Sequence, residues 1–179
     1  SFFNNISRFK ALMLLLSGSL LALHWVTFFV SVKMGGVAVA TLGFASFPAF
    51  ITLVDRIIFK ERITPREWFV LLLVLIGLVL VTPKFDFGAS GTVGLMWGII
   101  SGFSFALLAV TNKRGVKGID AMQVSFWQNG VVMVLLLPFV GTSMLHLSHL
   151  DWFYLFLLGI FCTGLSHYLF VKSLEALYA

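Results

Sequence analysis

Long apolar runs are the feature that most constrains how this chain can fold. A transmembrane helix needs about 20 mostly apolar residues to cross about 30 Å of hydrocarbon, whereas a membrane β-barrel would show alternating strands of about ten residues. Six runs are long enough for helices and too uniformly apolar for such strands. We name them segments A to F: residues 11–32, 35–59, 66–82, 92–112, 121–140 and 151–171. The sequence therefore predicts an all-α, polytopic bundle of transmembrane helices.

The composition also places the chain in a lipid bilayer. Of its 179 residues, 60% are hydrophobic and 11% are charged, and the mean hydropathy is +1.05. These values lie outside the range of soluble domains. The single cysteine, Cys162, lies inside segment F, which excludes an internal disulfide and a cysteine-based metal site. We expect no metal and no cofactor.

The distribution of positive charge predicts the orientation, because cytoplasmic loops carry an excess of Lys and Arg. Of twelve such residues, only Lys33 and Lys84 fall on one side of the predicted membrane. The opposite side holds Arg8, Lys10, Arg56, Lys60, Arg62, Arg66, Lys113, Arg114, Lys117 and Lys172. We therefore expect a protein of the inner membrane, with both chain ends facing the cytoplasm. The excess of basic over acidic residues is explained by this topology and gives no reason to expect nucleic acid as a partner.

Capping boxes support three of the predicted helix starts. In such a box, two polar side chains three residues apart satisfy backbone N–H groups that the first helical turn leaves unpaired. The pairs that fit this pattern are Thr64 with Glu67 before segment C, Asp120 with Gln123 before segment E, and Ser148 with Asp151 before segment F.

Segments A and F resemble each other weakly. A shift of 142 residues aligns identical residues, among them Leu15 with Leu157, Leu23 with Leu165, Phe28 with Phe170, and Ser31 with Ser173. Segment A leaves the cytoplasm and segment F returns to it, so the two copies would have opposite orientations. Inverted repeats of this kind form many secondary transporters, with the substrate site near the midplane of the membrane.

The chain resembles the EamA-type transporters of the drug/metabolite transporter superfamily. The motifs that carry the resemblance are HWVTFF in segment A, VAVATL and the proline of FASFPAF in segment B, and the ER of KERIT, and it continues through the glycine-rich segment D and FVKSLEAL. It implies ten helices in two inverted five-helix repeats, with the third to eighth present here. Residues 1–89 would end the first repeat, and residues 90–179 would begin the second.

The chain ends fit this implication. The sequence starts with Ser1 instead of Met, lacks the pattern of a cleavable signal peptide, and stops at Ala179 without an obvious terminus. We therefore expect a fragment from which two helices are missing at each end.

Pro48 interrupts an otherwise continuous apolar helix in segment B. Its ring removes the N–H that would bond the carbonyl of Phe44, and a proline inside a soluble helix costs about 3 kcal/mol. Irregular backbone at membrane depth is tolerated inside protein or beside a wet cavity, so we expect a kink that faces the bundle. At 100° per residue, one small or polar face would hold Thr41, Ala45, Pro48, Thr52 and Asp55. A kink needed only for packing is the equally weighted alternative.

His24 lies near the middle of segment A, on one face with Ser17, Thr27 and Ser31. Ionisable groups at this depth usually face the bundle interior and mark substrate or proton pathways. A histidine, with an unperturbed pKa of about 6.5, suits proton coupling. A neutral histidine bonded to a neighbouring carbonyl is the alternative reading. The same two interpretations, proton coupling or a neutral histidine bonded to a carbonyl, apply equally to His167 in segment F.

Segments D and E add a packing ridge and further polar groups. Small residues at four-residue steps, namely Gly94, Gly98, Gly102 and Ala106, predict a close helix–helix contact. Polar groups at membrane depth follow in segment E, at Trp127, Gln128 and Asn129.

These features favour a secondary transporter, in the exporting direction, of small metabolites, amino acids or drugs. No GxxxxGK[ST] motif is present, so the energy would come from a gradient, with protons as one candidate. A membrane-embedded hydrolase with a Ser–His pair is an alternative, although the sequence has no GxSxG motif. A non-transporting scaffold is a further alternative, and a monomer and a homodimer both remain open. The predicted substrate cavity comprises His24, Trp25, Phe28, Thr41, Phe44, Pro48, Trp97, Ser101, Phe105, His167 and Tyr168.

Overall fold

The fold is built from helices. The computed structural model describes residues 6–81, 90–141, 144 and 146–177, and within these ranges every regular element is helical. The α-helices are α1 (Arg8–Phe44), α2 (Phe47–Phe59), α3 (Pro65–Val81), α4 (Ser90–Gly115), α5 (Ala121–Leu136), α6 (His149–Leu157) and α7 (Ser166–Leu177). A 3₁₀ turn, Leu137–Phe139, extends α5, and a π-helical segment, Leu158–Leu165, joins α6 to α7.

Four stretches in the described part of the chain are long and apolar enough to span a membrane. They are Arg8–Phe44, Ser90–Gly115, Ala121–Phe139 and His149–Leu174. Helix α3, with 17 residues, lies at the short end of the spanning range. These helices confirm the predicted all-α, polytopic architecture.

The chain divides into two compact units, which we describe separately. Unit 1 comprises Ser1–Ala22 and Thr111–Ala179, and unit 2 comprises Leu23–Val110. The predicted repeats divide the chain at one point, between residues 89 and 90. Unit 1 instead combines residues from both ends of the chain. That boundary stays a prediction.

The boundary between segments A and B lies at Gly36. This residue has φ 81° and ψ 168°, so the helical path is broken there although the helical assignment of α1 continues to Phe44. Glycine adopts such positive φ values without the steric cost that a Cβ would add. The second part of α1 and all of α2 therefore make up the predicted segment B.

Segment B is itself divided, at Ala45 and Ser46. Helix α1 ends at Phe44, and Pro48 lies in the first turn of α2, where a missing N–H leaves no helical hydrogen bond unmade. The predicted kink within one continuous helix is thus a break between two helices. Ser46 satisfies the carbonyl of Gly43 at the break, through its backbone N–H at 3.2 Å and its hydroxyl at 2.7 Å.

The break divides the face predicted for segment B between two helices. Thr41 and Ala45 are exposed, whereas Asp55 is buried. The predicted stripe from Thr41 to Asp55 assumes one continuous helix, whereas the structure has the end of α1 and then α2 in its place.

Glycines allow α1 and α4 to approach closely within unit 2. A Cβ added to Gly94 would lie 2.6 Å from the backbone nitrogen of Gly35, and one added to Gly43 would lie 2.9 Å from the Cα of Gly98. The hydroxyl of Ser31 donates to the carbonyl of Gly94 across the same contact, at 2.6 Å. The small-residue ridge predicted in segment D is confirmed as a packing surface.

Unit 1 has an apolar core where the start of α1, the α4–α5 connection, α5 and α7 meet. Its buried members are Leu14, Val116, Ile119, Ala121, Val124 and Val171. This core packs α5 and α7 together, and these helices carry two of the unit's buried polar residues, Gln128 and His167.

Side-chain caps set the starts of three helices. Thr64 and Glu67 form a reciprocal pair before α3, and Ser148 and Asp151 form a complete capping box at α6. Asp120 caps α5 by accepting from the amide of Met122, at 2.9 Å. The three predicted starts are therefore confirmed, although the Asp120 side chain bonds to Met122 and the pattern had paired it with Gln123.

The substitution Gly94→Ala tests the close contact of α1 with α4. We expect it to lower the stability of the protein by about 1–3 kcal/mol, because the new methyl group overlaps the backbone of Gly35. Thermal unfolding in detergent micelles measures the effect. Gly77→Ala is the matched control, since a Cβ at Gly77 meets nothing within 4 Å. Equal melting temperatures for both variants would contradict the packing role.

Candidate functional site

His24 and Ser101 form a polar pair in unit 2. His24 lies near the middle of the part of α1 that precedes Gly36, and Ser101 lies near the middle of α4. The imidazole Nδ1 is 2.8 Å from the Ser101 hydroxyl oxygen and 3.3 Å from the Ser101 carbonyl oxygen. The hydroxyl in turn donates to the backbone carbonyl of His24, at 3.1 Å. Ser101 is completely buried, so this pair ties the two helices together below the surface.

The partners of Nδ1 determine the tautomer of His24. The Ser101 carbonyl can only accept, and the Ser101 hydroxyl donates to the His24 carbonyl, so this geometry favours the tautomer with the proton on Nδ1. A second proton on the ring would therefore bind at Nε2.

Aromatic rings surround the His24 imidazole. The rings of Phe44 and Phe105 each lie 4.9 Å from the imidazole centroid, and the ring of Phe28 lies 6.1 Å away. Phe47 extends this group, since it stacks on Phe44 at 5.1 Å and meets Phe105 edge-on at 5.3 Å. We call the four phenylalanines and His24 the aromatic cage.

The aromatic cage contains four of the eleven residues predicted for the substrate cavity, and a fifth, Ser101, is bonded to its histidine; the four are His24, Phe28, Phe44 and Phe105. Trp25 and Trp97 are half-buried, and Trp97 precedes Ser101 by one helical turn. Thr41 is exposed and its hydroxyl donates to the carbonyl of Val37 in its own helix, at 2.8 Å. Pro48 acts on the backbone by starting α2.

Sequence reasoning missed Phe47 and Ser46. Both lie beside the break in segment B, and their positions follow from that break. The available signal was the motif FASFP itself, in which a serine and a phenylalanine directly precede the proline.

His167 and Tyr168 belong to unit 1, where a buried amide organises the polar groups. Gln128 on α5 has no exposed surface. Its amide nitrogen donates to the Ser17 hydroxyl and to the Asn112 side-chain oxygen, both at 2.6 Å. Its amide oxygen lies 2.8 Å from the Nε2 of His167. The amide thus connects α1, α4, α5 and α7. We call Ser17, Asn112, Gln128 and His167 the Gln128 network.

The Gln128 network gives His167 a different tautomer from that of His24. The amide oxygen of Gln128 accepts, so His167 donates through Nε2. Its side chain is only 7% exposed, and its ring stacks on Phe170 at 6.3 Å. Of this network, the sequence singled out Ser17, Gln128 and His167 but missed Asn112, which is the last residue of segment D.

Gln128→Leu tests the network. The substitution leaves Ser17, Asn112 and His167 without their shared partner in a buried setting, and we expect a loss of stability of about 1–3 kcal/mol. Thermal unfolding in detergent measures it. Asn129→Leu, at a half-buried amide that bonds to Ser125 of its own helix, is the control and should cost clearly less. A Gln128→Leu protein as stable as the control would show that the network does not hold unit 1 together.

Comparisons with known proteins identify a family and two relatives. The model of the EamA-like transporter family matches residues 1–82 and 92–179. An uncharacterized transporter of Bacillus subtilis (strain 168), YxxF, is 23% identical over 180 residues, which cover 96% of this chain and 56% of that protein. An uncharacterized transporter of Archaeoglobus fulgidus is 27% identical over 113 residues, 63% of this chain and 40% of that protein. No solved structure matches the chain.

The match to the family model extends over nearly the whole chain, while the chain spans only about half the length of the relatives it matches. The family and the apolar helices together make this a multi-pass membrane protein. The chain belongs to the EamA-like transporter family.

Proposed function

We propose that this chain is part of a secondary transporter that exports small amphipathic molecules, such as metabolites, amino acids or drugs, by alternating access. The observation that carries the proposal is the aromatic cage around a polar pair at mid-membrane depth. Ligand sites combine apolar and aromatic walls with a few placed polar groups. In the cage, phenylalanine rings would hold the apolar body of the substrate, and His24 would meet its polar group.

Protons are the proposed coupling ion. Ionisable side chains inside membrane spans often serve in proton pathways. Uptake of a proton at Nε2 of His24 would leave the Nδ1 bond to Ser101 intact, because Nδ1 donates in both states. The imidazolium would then lie beside rings centred 4.9 Å away, within the distance of about 6 Å at which an aromatic ring can interact with a cation.

The same proposal includes the membrane topology and the repeats. The charge distribution supports cytoplasmic positions for both chain ends in the inner membrane. The two separate matches to the family model, on either side of residues 83–91, support two related halves. Residues 1–89 and 90–179 would then belong to two inverted repeats of a protein with further helices.

A membrane-embedded hydrolase is a second candidate, because the Ser101 hydroxyl lies 2.8 Å from an imidazole nitrogen. A serine nucleophile needs a base that accepts its proton. Here the contact runs in the opposite sense, since Nδ1 donates to Ser101 and the hydroxyl donates to the His24 carbonyl. This polarity favours the transporter.

His24→Ala tests the transport mechanism in the complete protein. We expect transport, assayed in proteoliposomes with an imposed pH gradient, to be lost or to become independent of pH, because the substitution removes the only ionisable group of the cage. Trp68→Phe is the control, since Trp68 is exposed at the start of α3. Transport by His24→Ala that keeps its normal rate and pH dependence would contradict the role of His24.

Ser101→Ala tests whether the serine orients the imidazole. It removes the hydroxyl bond to Nδ1, and we expect transport to fall by up to about tenfold, as for a loss of about 1.4 kcal/mol. Ser104→Ala is the matched control, because the buried Ser104 hydroxyl donates only within its own helix, to Ile100 at 2.9 Å. Labelling of Ser101 by a serine-reactive fluorophosphonate would instead favour the hydrolase.

A further inference from the structure

A groove runs along unit 1 beside the Gln128 network. It has a volume of about 450 Å³, and its walls come from α5, the π-helical segment and the start of α7. It is lined by Met122, Ser125, Phe126, Asn129, Gly159, Ile160, Gly164, Leu165 and Tyr168. From Met122 to Asn129 it follows α5 for seven residues, which corresponds to about 10 Å at 1.5 Å per residue.

The walls of the groove are suited to hydrocarbon. Met122, Phe126, Ile160 and Leu165 present large exposed apolar side chains. The amide nitrogen of Asn129, the most polar lining group, donates to the backbone carbonyl of Ser125 in its own helix, at 2.8 Å. The groove also lies within stretches that are long and apolar enough to span the membrane.

The π-helical segment provides the space in the groove. Gly159 lies on its wall, and a Cβ added there would meet nothing within 4 Å. A second glycine, Gly164, lines the same wall, and its added Cβ would lie 3.3 Å from the carbonyl oxygen of Gly159. Side chains at either position would project into the groove and reduce its volume.

One end of the groove carries a positive charge. Tyr168 lines the groove, and the ammonium of Lys172 donates to its hydroxyl at 3.3 Å and lies 5.6 Å from its ring centroid. An ammonium has three N–H donors, so this contact leaves two for another acceptor. Lys172 is two residues from the end of the candidate span His149–Leu174. It directly follows the predicted segment F (residues 151–171), so we expect it near the membrane boundary, where lipid phosphates lie.

We propose that the groove binds one anionic phospholipid. An acyl chain would lie between α5 and the π-helical segment, and the phosphate would accept from the Lys172 ammonium and the Tyr168 hydroxyl. An apolar groove that ends at a lysine near the membrane boundary matches the two halves of this ligand, and a basic residue near the surface favours anionic lipids. This proposal does not depend on transport.

Native mass spectrometry of the complete protein tests the proposal. The purified protein is exposed to equal amounts of dioleoylphosphatidylglycerol and dioleoylphosphatidylcholine. We expect the wild type to retain one phosphatidylglycerol, and Gly159→Phe to lose it because the ring fills the groove. Gly77→Phe, at an equally open glycine on α3, should retain the lipid.

Lys172→Gln tests the headgroup separately from the groove. We expect the preference for phosphatidylglycerol over phosphatidylcholine to fall about fivefold, which corresponds to about 1 kcal/mol for one lysine near an anionic lipid. Lys117→Gln removes the same charge from an exposed loop of unit 1 and should leave the preference unchanged.

Three outcomes would overturn the proposal. The first is retention of phosphatidylglycerol by Gly159→Phe, and the second is an unchanged lipid preference in Lys172→Gln. The third is a wild-type protein that retains no lipid while Gly159→Phe lowers its melting temperature in lipid-free detergent. That result would mean that another segment of the protein fills the groove.

Discussion

The close approach of α1 and α4 is the contact on which unit 2 depends. Lipid tails are as apolar as the helix surfaces, so helices associate in a membrane through packing and interhelical hydrogen bonds. Both are present here, since glycines bring the backbones of the two helices together and Ser31 donates to the carbonyl of Gly94. The same approach places the imidazole of His24 within hydrogen-bond distance of Ser101. Larger residues along the ridge would separate the pair that defines the candidate site.

The division of segment B is a second constraint, imposed by the need to satisfy backbone groups inside a membrane. Each unpaired carbonyl in hydrocarbon would cost several kcal/mol. Ser46 meets this need at the break by bonding the carbonyl of Gly43 through both its amide and its hydroxyl. The break then allows Phe44, at the end of one helix, to stack on Phe47, at the start of the next. The backbone irregularity and the aromatic cage are therefore one structural feature.

The two intramembrane histidines occupy different environments. His24 is half-buried among phenylalanine rings and donates through Nδ1, whereas His167 is buried against an amide and donates through Nε2. A positive charge on His24 would lie within about 6 Å of two ring centres, the range over which an aromatic ring can interact with a cation. A charge on His167 would lie in an enclosed core, where charges are costly unless they are paired. On the proposed mechanism, His24 takes up the proton and His167 holds unit 1 together through the Gln128 network.

The sequence by itself determined the helical class, the membrane environment, the capped helix starts and the family. These follow from local properties: the length of apolar runs, the spacing of capping residues, and short motifs such as HWVTFF. It also identified Ser101, His24 and three of the four cage phenylalanines, because depth and helical phase are periodic along the chain. The tertiary structure decided which of these residues meet. It brought in Phe47 through the break at Ser46, and it replaced the single helix predicted for segment B with two helices. Asn112 joined Gln128 only when α4 and α5 packed together, since a hydrogen bond between helices depends on their separation and rotation.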